Sequence, residues 1–151
     1  MSYQPIPDSG TGSTPANRAC ARPAVVLARL LTRLPPRRLQ RLLGLISRGA
    51  RPAAYEQALS ARNAVTAVSA LCAGREGCLP RSVATALVCR ARGIWPAWCV
   101  GVRAAPPFAA HAWVETTGRP VGESIPDNYL RVLITVPPQP AREGTDGQLQ
   151  R

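Results

Sequence analysis

Residues 78–103 read CLPRSVATALVCRARGIWPAWCVGVR, and this stretch contains the change from helix to strand that decides the fold. Pro80 lies in the first turn of a segment with Ala, Leu and Val at helical spacing, and Gly93 follows as a stop signal. These features predict a helix that begins at Cys78. Residues 94–103 are rich in β-branched and aromatic side chains, which predicts a strand. The helix is therefore expected to lead directly into a sheet.

The sequence after this stretch continues the sheet pattern. Residues 110–116, AHAWVET, alternate between two kinds of side chain, as a strand does. One face carries the polar and aromatic side chains: His111, Trp113 and Glu115. Residues 119–124 are expected to form a return strand, and residues 130–136 a last strand.

The sequence before Cys78 predicts helices. Residues 24–34 and 37–46 have Leu-rich faces and basic faces, and Pro35-Pro36 separates them. A third helix is expected over about residues 55–73. The basic helices fit either a membrane surface or packing onto the domain, and packing is the favoured interpretation. Helices followed by an antiparallel sheet make this an α+β fold.

The length of 151 residues fits one domain. Residues 1–20 and 137–151 are rich in Pro, Gly and polar residues, so both are expected to be flexible tails. The folded domain is then expected over residues 21–136. No apolar run approaches the length of a membrane span, and the first residues lack the apolar segment of a signal peptide.

The charge is strongly positive: 19 basic residues, all of them Arg, oppose 8 acidic ones, for a formal charge of +11. Such a field favours acidic partners. A nucleic-acid partner is disfavoured, because only 5% of the residues are aromatic and none interleave with Arg as in a base-stacking platform. The five cysteines have no metal-binding spacing, so neither a metal nor a cofactor is expected. Free thiols fit a reducing cytoplasm.

The only histidine, His111, is a candidate catalytic base. Cys78 is the candidate nucleophile, because unpaired N–H groups and the dipole at a helix start favour a thiolate. Arg81 is expected to add to this effect. Two cysteines in regular elements, Cys89 and Cys99, are expected to be buried and inert. Cys72, near a helix end, is the alternative nucleophile.

A carboxylate is expected to orient the histidine. If residues 110–116 and 119–124 form a hairpin with a three-residue loop at 116–118, Glu123 lies directly opposite His111. A two-residue turn would instead turn the Glu123 side chain away. The candidates rank Glu123 first, then Asp127, then Glu115, and the residue chosen would be the third member of a triad.

These motifs resemble the transglutaminase-like leader peptidases of bacterial lasso-peptide gene clusters, over roughly residues 24–135. The family pattern is a Cys-Leu-x-Arg-Ser helix start, a Gly-Val strand, a strand with aromatic-Ala-His-Ala-Trp-Val-Glu, and an acid about a dozen residues after the His. The matching positions are Cys78, Leu79, Arg81, Ser82, Gly101, Val102, Phe108, His111, Ala112, Trp113, Val114, Glu115 and Glu123. Many relatives have Asp where Glu123 stands.

The resemblance implies a transglutaminase-like/papain-like core and a cysteine protease that removes the leader from a ribosomally made precursor peptide. An ATP-dependent cyclase would then close the lasso. The short segment before the helices suggests the split form of the family, in which a separate leader-recognition protein delivers the precursor. Candidate substrate-binding residues are Phe108, Trp113 and Arg81. Two alternatives are acyl transfer to an amine and a non-enzymatic basic binding module.

Overall fold

The computed structural model describes residues 14–126 and 128–141, and it has the expected α+β architecture. The helices are α1 (Pro15–Leu31), α2 (Pro36–Ile46), α3 (Tyr55–Val68), α4 (Ala70–Ala73) and α5 (Cys78–Ala91), with a 3₁₀ turn at Arg75–Gly77 before α5. The strands are β1 (Arg51–Pro52), β2 (Ile94–Trp95), β3 (Ala97–Arg103), β4 (Ala110–Thr116), β5 (Arg119–Pro120) and β6 (Leu130–Val136).

The main sheet is antiparallel, with strand order β5-β4-β3-β6. Helix α5 contacts β4 on one side and the helices α1 and α3 on others, so it is the central helix of the fold. At the contact with the sheet, the indole of Trp98 is buried and its Nε1 donates to Ser82 Oγ at 3.1 Å. This bond joins the N-terminal half of α5 to β3.

The N-terminal helices pack onto the domain, as favoured from the sequence. Helix α1 buries its small residues against α3 and α5, and α2 buries Leu39 and Leu43. None of the helices in the described ranges has both the length and the apolarity needed to cross a bilayer. Helix α1 already begins at Pro15, inside the segment assigned to the first tail, because Pro favours the first helical positions and Thr14 caps the end. Residues 1–13 lie outside the described part.

Three predicted elements are shorter in the structure than expected. The helix expected over 55–73 breaks at Ser69, which has an extended backbone and a side chain that accepts from the N–H of Cys72 at 3.2 Å. The strand expected over 94–103 divides at Pro96, which has no N–H to donate: β2 pairs with β1, whereas β3 pairs with β4 and β6. The return strand expected over 119–124 ends at Pro120.

The second predicted tail, residues 137–151, is described only to residue 141. Within that part, Gln139 bridges to Arg48, and its carbonyl accepts from the N–H of Gly49 at 2.8 Å. The chain directly after β6 is therefore attached to the end of α2. Residues 142–151 lie outside the described part.

Candidate active site

Cys78 is the first residue of α5, as predicted, and its side chain is partly exposed. The 3₁₀ turn before it packs so closely on α4 that a Cβ at Gly77 would overlap the carbonyl of Leu71. Only glycine permits this approach. Arg81 Nη1 donates to the carbonyls of Cys72 (2.9 Å) and Gly74 (3.3 Å). The backbone around Cys78 is thus fixed on both sides.

His111 lies on β4 and joins Cys78 to Glu123. Its Nε2 is 3.1 Å from Glu123 Oε2, and the two side chains are each 9% exposed. An interaction with the Cys78 thiol is the largest cause that raises the pKa of His111, and His111 is the largest cause that lowers the pKa of Cys78. The structure therefore brings the sulfur, the imidazole and the carboxylate together, whereas their catalytic roles stay predictions.

The imidazole has a second support. The Trp113 indole stacks on it with ring centroids 5.9 Å apart and planes at 15°. Trp113 Nε1 donates to Glu115 Oε2 at 3.2 Å, which holds the indole in turn. Trp113 is 2% exposed, so it contacts the imidazole and offers little surface to a peptide.

Glu123 reaches His111 by a route that the sequence did not predict. The β4–β5 register pairs Glu115 with Pro120, so the turn has two residues, Thr117 (φ 50°) and Gly118 (φ 77°), and the predicted three-residue loop is wrong. In a strand continuing with that register, the Glu123 side chain would point away from His111. Instead the ladder ends where the N–H of Val121 donates to the carbonyl of Val114 at 2.9 Å.

After that bond, Gly122 turns the chain. Its φ of +65° is in the region that favours glycine, and its N–H donates to Tyr55 Oη at 3.3 Å. This turn brings the next residue, Glu123, back to His111. The predicted carboxylate is therefore the one that bonds to the imidazole, but the hairpin argument for it was incorrect.

The charges at the site favour a thiolate next to an imidazolium. The hydrogen bond with His111 lowers the pKa of Cys78 against the opposing effect of burial; the Ala112 N–H and the charges of His111 and Arg81 lower it further. The hydrogen bonds with Cys78 and then Glu123 raise the pKa of His111 to about 9. Burial alone would raise the pKa of Glu123, but His111, Arg62 and Arg81 outweigh it and the pKa is lowered.

The alternative candidates lack these contacts. Burial raises the pKa values of Cys89 and Cys99 to about 12, as expected of inert thiols. Cys72 is fully buried. Glu115 bonds to Trp113 rather than to His111. Asp127 lies outside the described residues.

Phe108 is 72% exposed in the connection between β3 and β4, three residues before His111. Arg81 is half-buried and bonds to backbone carbonyls, so it stabilises the first turn of α5. Within residues 14–126 and 128–141, no group of three His, Cys, Asp or Glu side chains is suited to hold a metal ion.

Sequence reasoning missed the residues that support Glu123 from α3, namely Tyr55 and Arg62. Both contact the turn at Gly122, and Arg62 lines a small cavity together with Arg81 and Glu123. A glycine directly before a candidate acid was a usable signal for the turn. Arg62 had no such signal, because one Arg in a helix that contains polar residues resembles any solvent-facing position.

A comparison with known protein families shows to which family the chain is related. The family model of the Transglutaminase-like superfamily matches residues 14–135, which is most of the chain. No curated protein and no solved structure matches the chain significantly.

Proposed function

The chain belongs to the transglutaminase-like superfamily, which includes cysteine proteases and acyltransferases, and we propose that it is a cysteine endopeptidase that removes the leader from a lasso-peptide precursor. One observation carries the proposal: a partly exposed thiol at a helix start interacts with an imidazole that hydrogen-bonds to a nearly buried carboxylate. This is the arrangement that nucleophilic catalysis by a thiol requires. The lasso-peptide substrate rests on the resemblance of the motifs around Cys78 and His111.

In the proposed mechanism, the Cys78 thiolate attacks the carbonyl at the leader–core junction. The lowered pKa of Cys78 and the raised pKa of His111 favour the thiolate–imidazolium pair before substrate binds. A tetrahedral oxyanion forms, and the backbone N–H of Cys78 in the first turn of α5 is a candidate donor to it. His111 gives its proton to the leaving amine, and water then hydrolyses the acyl-enzyme. Glu123 keeps the imidazole in the orientation that both transfers need.

The exposure of the candidate side chains indicates which of them can contact the peptide substrate. Phe108 is exposed next to the start of β4, so we assign it to the wall of the peptide groove. Arg81 and Trp113 are not assigned to the groove. Arg81 supports the first turn of α5, and Trp113 supports the imidazole of His111. The product would be a core peptide with a free N-terminus, which a separate ATP-dependent cyclase then closes.

The proposed partners are the precursor peptide and a separate leader-recognition protein, in the cytoplasm. The formal charge of +11 favours an acidic surface on the leader or on that protein. Because interactions between exposed charges weaken with ionic strength, formation of such a complex should weaken as salt rises. A complex insensitive to salt would contradict the acidic surface.

Two rival functions can be distinguished from proteolysis. Acyl transfer uses the same thiol but ends on an amine instead of water. A binding module does not need a thiol whose pKa is lowered by an imidazole. The interaction between Cys78 and His111 therefore favours the enzyme.

The test uses the purified full chain, a lasso-peptide precursor and a separate leader-recognition protein. Mass spectrometry of the wild type should show free leader and free core, whereas Cys78→Ala should show intact precursor. Cys20→Ala, which removes another partly exposed thiol, should cleave normally. A leader joined to an added amine would support acyl transfer, and cleavage by Cys78→Ala would exclude Cys78 as the nucleophile.

A further inference from the structure

We propose that Arg62 is a positioning residue for Glu123: its side chain packs on Gly122 and sets the direction in which the Glu123 carboxylate points at His111. This inference rests on the proposed function only in that Glu123 is taken to orient a catalytic imidazole. The geometry that carries it does not depend on the identity of the substrate.

Arg62 fills the space in which a side chain at position 122 would lie. A Cβ added to Gly122 would be 2.8 Å from Arg62 Cδ, 2.9 Å from Nε and 3.0 Å from Cζ. The end of the Arg62 side chain therefore lies directly against the Gly122 backbone. Tyr55, also on α3, accepts the Gly122 N–H at 3.3 Å. Helix α3 thus contacts the turn at two points, one residue before Glu123.

The turn needs such support because no sheet bond holds it. The ladder beside β4 ends at Val121. Gly122 has a positive φ, and because glycine adopts positive and negative φ about equally readily, its own backbone does not fix this turn. Without contacts from α3, Glu123 would be free to sample other directions. The packing of Arg62 on Gly122 restricts this freedom.

The charges around Glu123 agree with this role. The carboxylate interacts with cations from three elements: His111 on β4, Arg62 on α3 and Arg81 on α5. Arg62 is only 9% exposed and lies near the like charge of Arg81. Holding a buried cation beside a half-buried one is unfavourable unless an anion offsets them, and Glu123 interacts with both. Because Arg62 is buried, we assign it no contact with substrate.

The pKa of His111 distinguishes a positioning role of Arg62 from a purely electrostatic one. If Arg62 acted only as a charge, its removal would relieve repulsion on the imidazolium and raise the His111 pKa. If Arg62 positions Glu123, its removal weakens the bond between Glu123 and His111 and lowers that pKa. The two roles therefore predict shifts of opposite sign.

The experiment follows the single histidine of the full chain by proton NMR across pH, in wild type, Arg62→Met, Glu123→Gln and the double variant. We expect Arg62→Met to lower the His111 pKa by about one unit, as replacement of a charge-assisted hydrogen bond by a weaker one would. The double variant should then titrate close to Glu123→Gln. Arg92→Met removes an exposed Arg at the end of α5 and should leave the titration unchanged.

An unchanged or raised His111 pKa in Arg62→Met would overturn the proposal, as would additive effects in the double variant. If Arg62→Met does not fold, the milder Arg62→Lys replaces it. This variant keeps the charge but loses the guanidinium that packs on Gly122. It should lower the His111 pKa, and a wild-type value would reject the role.

This titration needs no peptide substrate. A positive result in a protein that fails to cleave any precursor would therefore keep the positioning role and reject the proposed function. The reverse combination, normal cleavage with no shift in Arg62→Met, would do the opposite.

Discussion

Replacing Glu123 with Gln should lower the pKa of His111 from about 9 to about 8. The carboxylate lies 3.1 Å from Nε2, and both side chains are nearly buried. A hydrogen bond to a charged group contributes about 1.5–3 kcal/mol, and a neutral one about 0.5–1.5 kcal/mol. The amide therefore stabilises the imidazolium less by roughly 1–1.5 kcal/mol, which is about one pKa unit.

The assay is direct because His111 is the only histidine in the chain. Its Hε1 ring proton therefore gives a titrating NMR signal that belongs to no other histidine. Cys78→Ala should lower the pKa further than Glu123→Gln does, because the bond with Cys78 is the largest cause of the raised value. Glu115→Gln is the matched control: it removes a carboxylate on the same strand that bonds to Trp113 instead.

Two results would refute the reasoning. A wild-type His111 that titrates near 6.5 would mean that neither Cys78 nor Glu123 stabilises the imidazolium in solution. An equal shift in Glu115→Gln and Glu123→Gln would mean that general negative charge, and not the 3.1 Å contact, sets the value.

Further outcomes follow from the same contacts. Cys78 should react with iodoacetamide near neutral pH faster than Cys20, read by peptide mass mapping, because the interaction with His111 lowers the pKa of Cys78; equal rates would contradict this. Gly77→Ala should cost about 1–3 kcal/mol in urea unfolding, because the added methyl overlaps the Leu71 carbonyl, whereas the unobstructed Gly44→Ala should be neutral or stabilising. The raised pKa of His111 and the lowered pKa of Glu123 predict that wild type is more stable than Glu123→Gln between about pH 5 and 6.5. That advantage should decline as pH rises through about 9, where His111 loses its proton; a constant difference in urea midpoints would contradict it.

The contact between Glu123 and His111 shows what local sequence patterns can and cannot predict. The sequence identified the carboxylate that bonds to His111, yet the hairpin used to argue for it does not exist in that form. Hairpin register depends on whether the turn has two or three residues, and Thr117-Gly118 is compatible with both. The outcome was decided by the turn at Gly122, which a strand pattern does not contain.

The breaks within predicted elements have a similar cause. Side-chain periodicity continues across Ser69 and across Pro96, so both segments resemble single elements. In the fold, Ser69 caps a new helical turn, and Pro96 separates a strand that pairs with β1 from one that pairs with β4. Which partner a strand finds is a non-local property.

By itself the sequence determined the class of fold, the helix that begins at Cys78, the strand 110–116 and the placement of sulfur and imidazole on them. These features depend on capping, periodicity and alternation over a few neighbouring residues. Only the tertiary structure decided how Glu123 returns to His111 and that Tyr55 and Arg62, some sixty residues earlier in the chain, contact the turn that directs it. The physical reason is that these contacts join residues distant in sequence, so their geometry exists only once α3, α5 and the sheet have packed together.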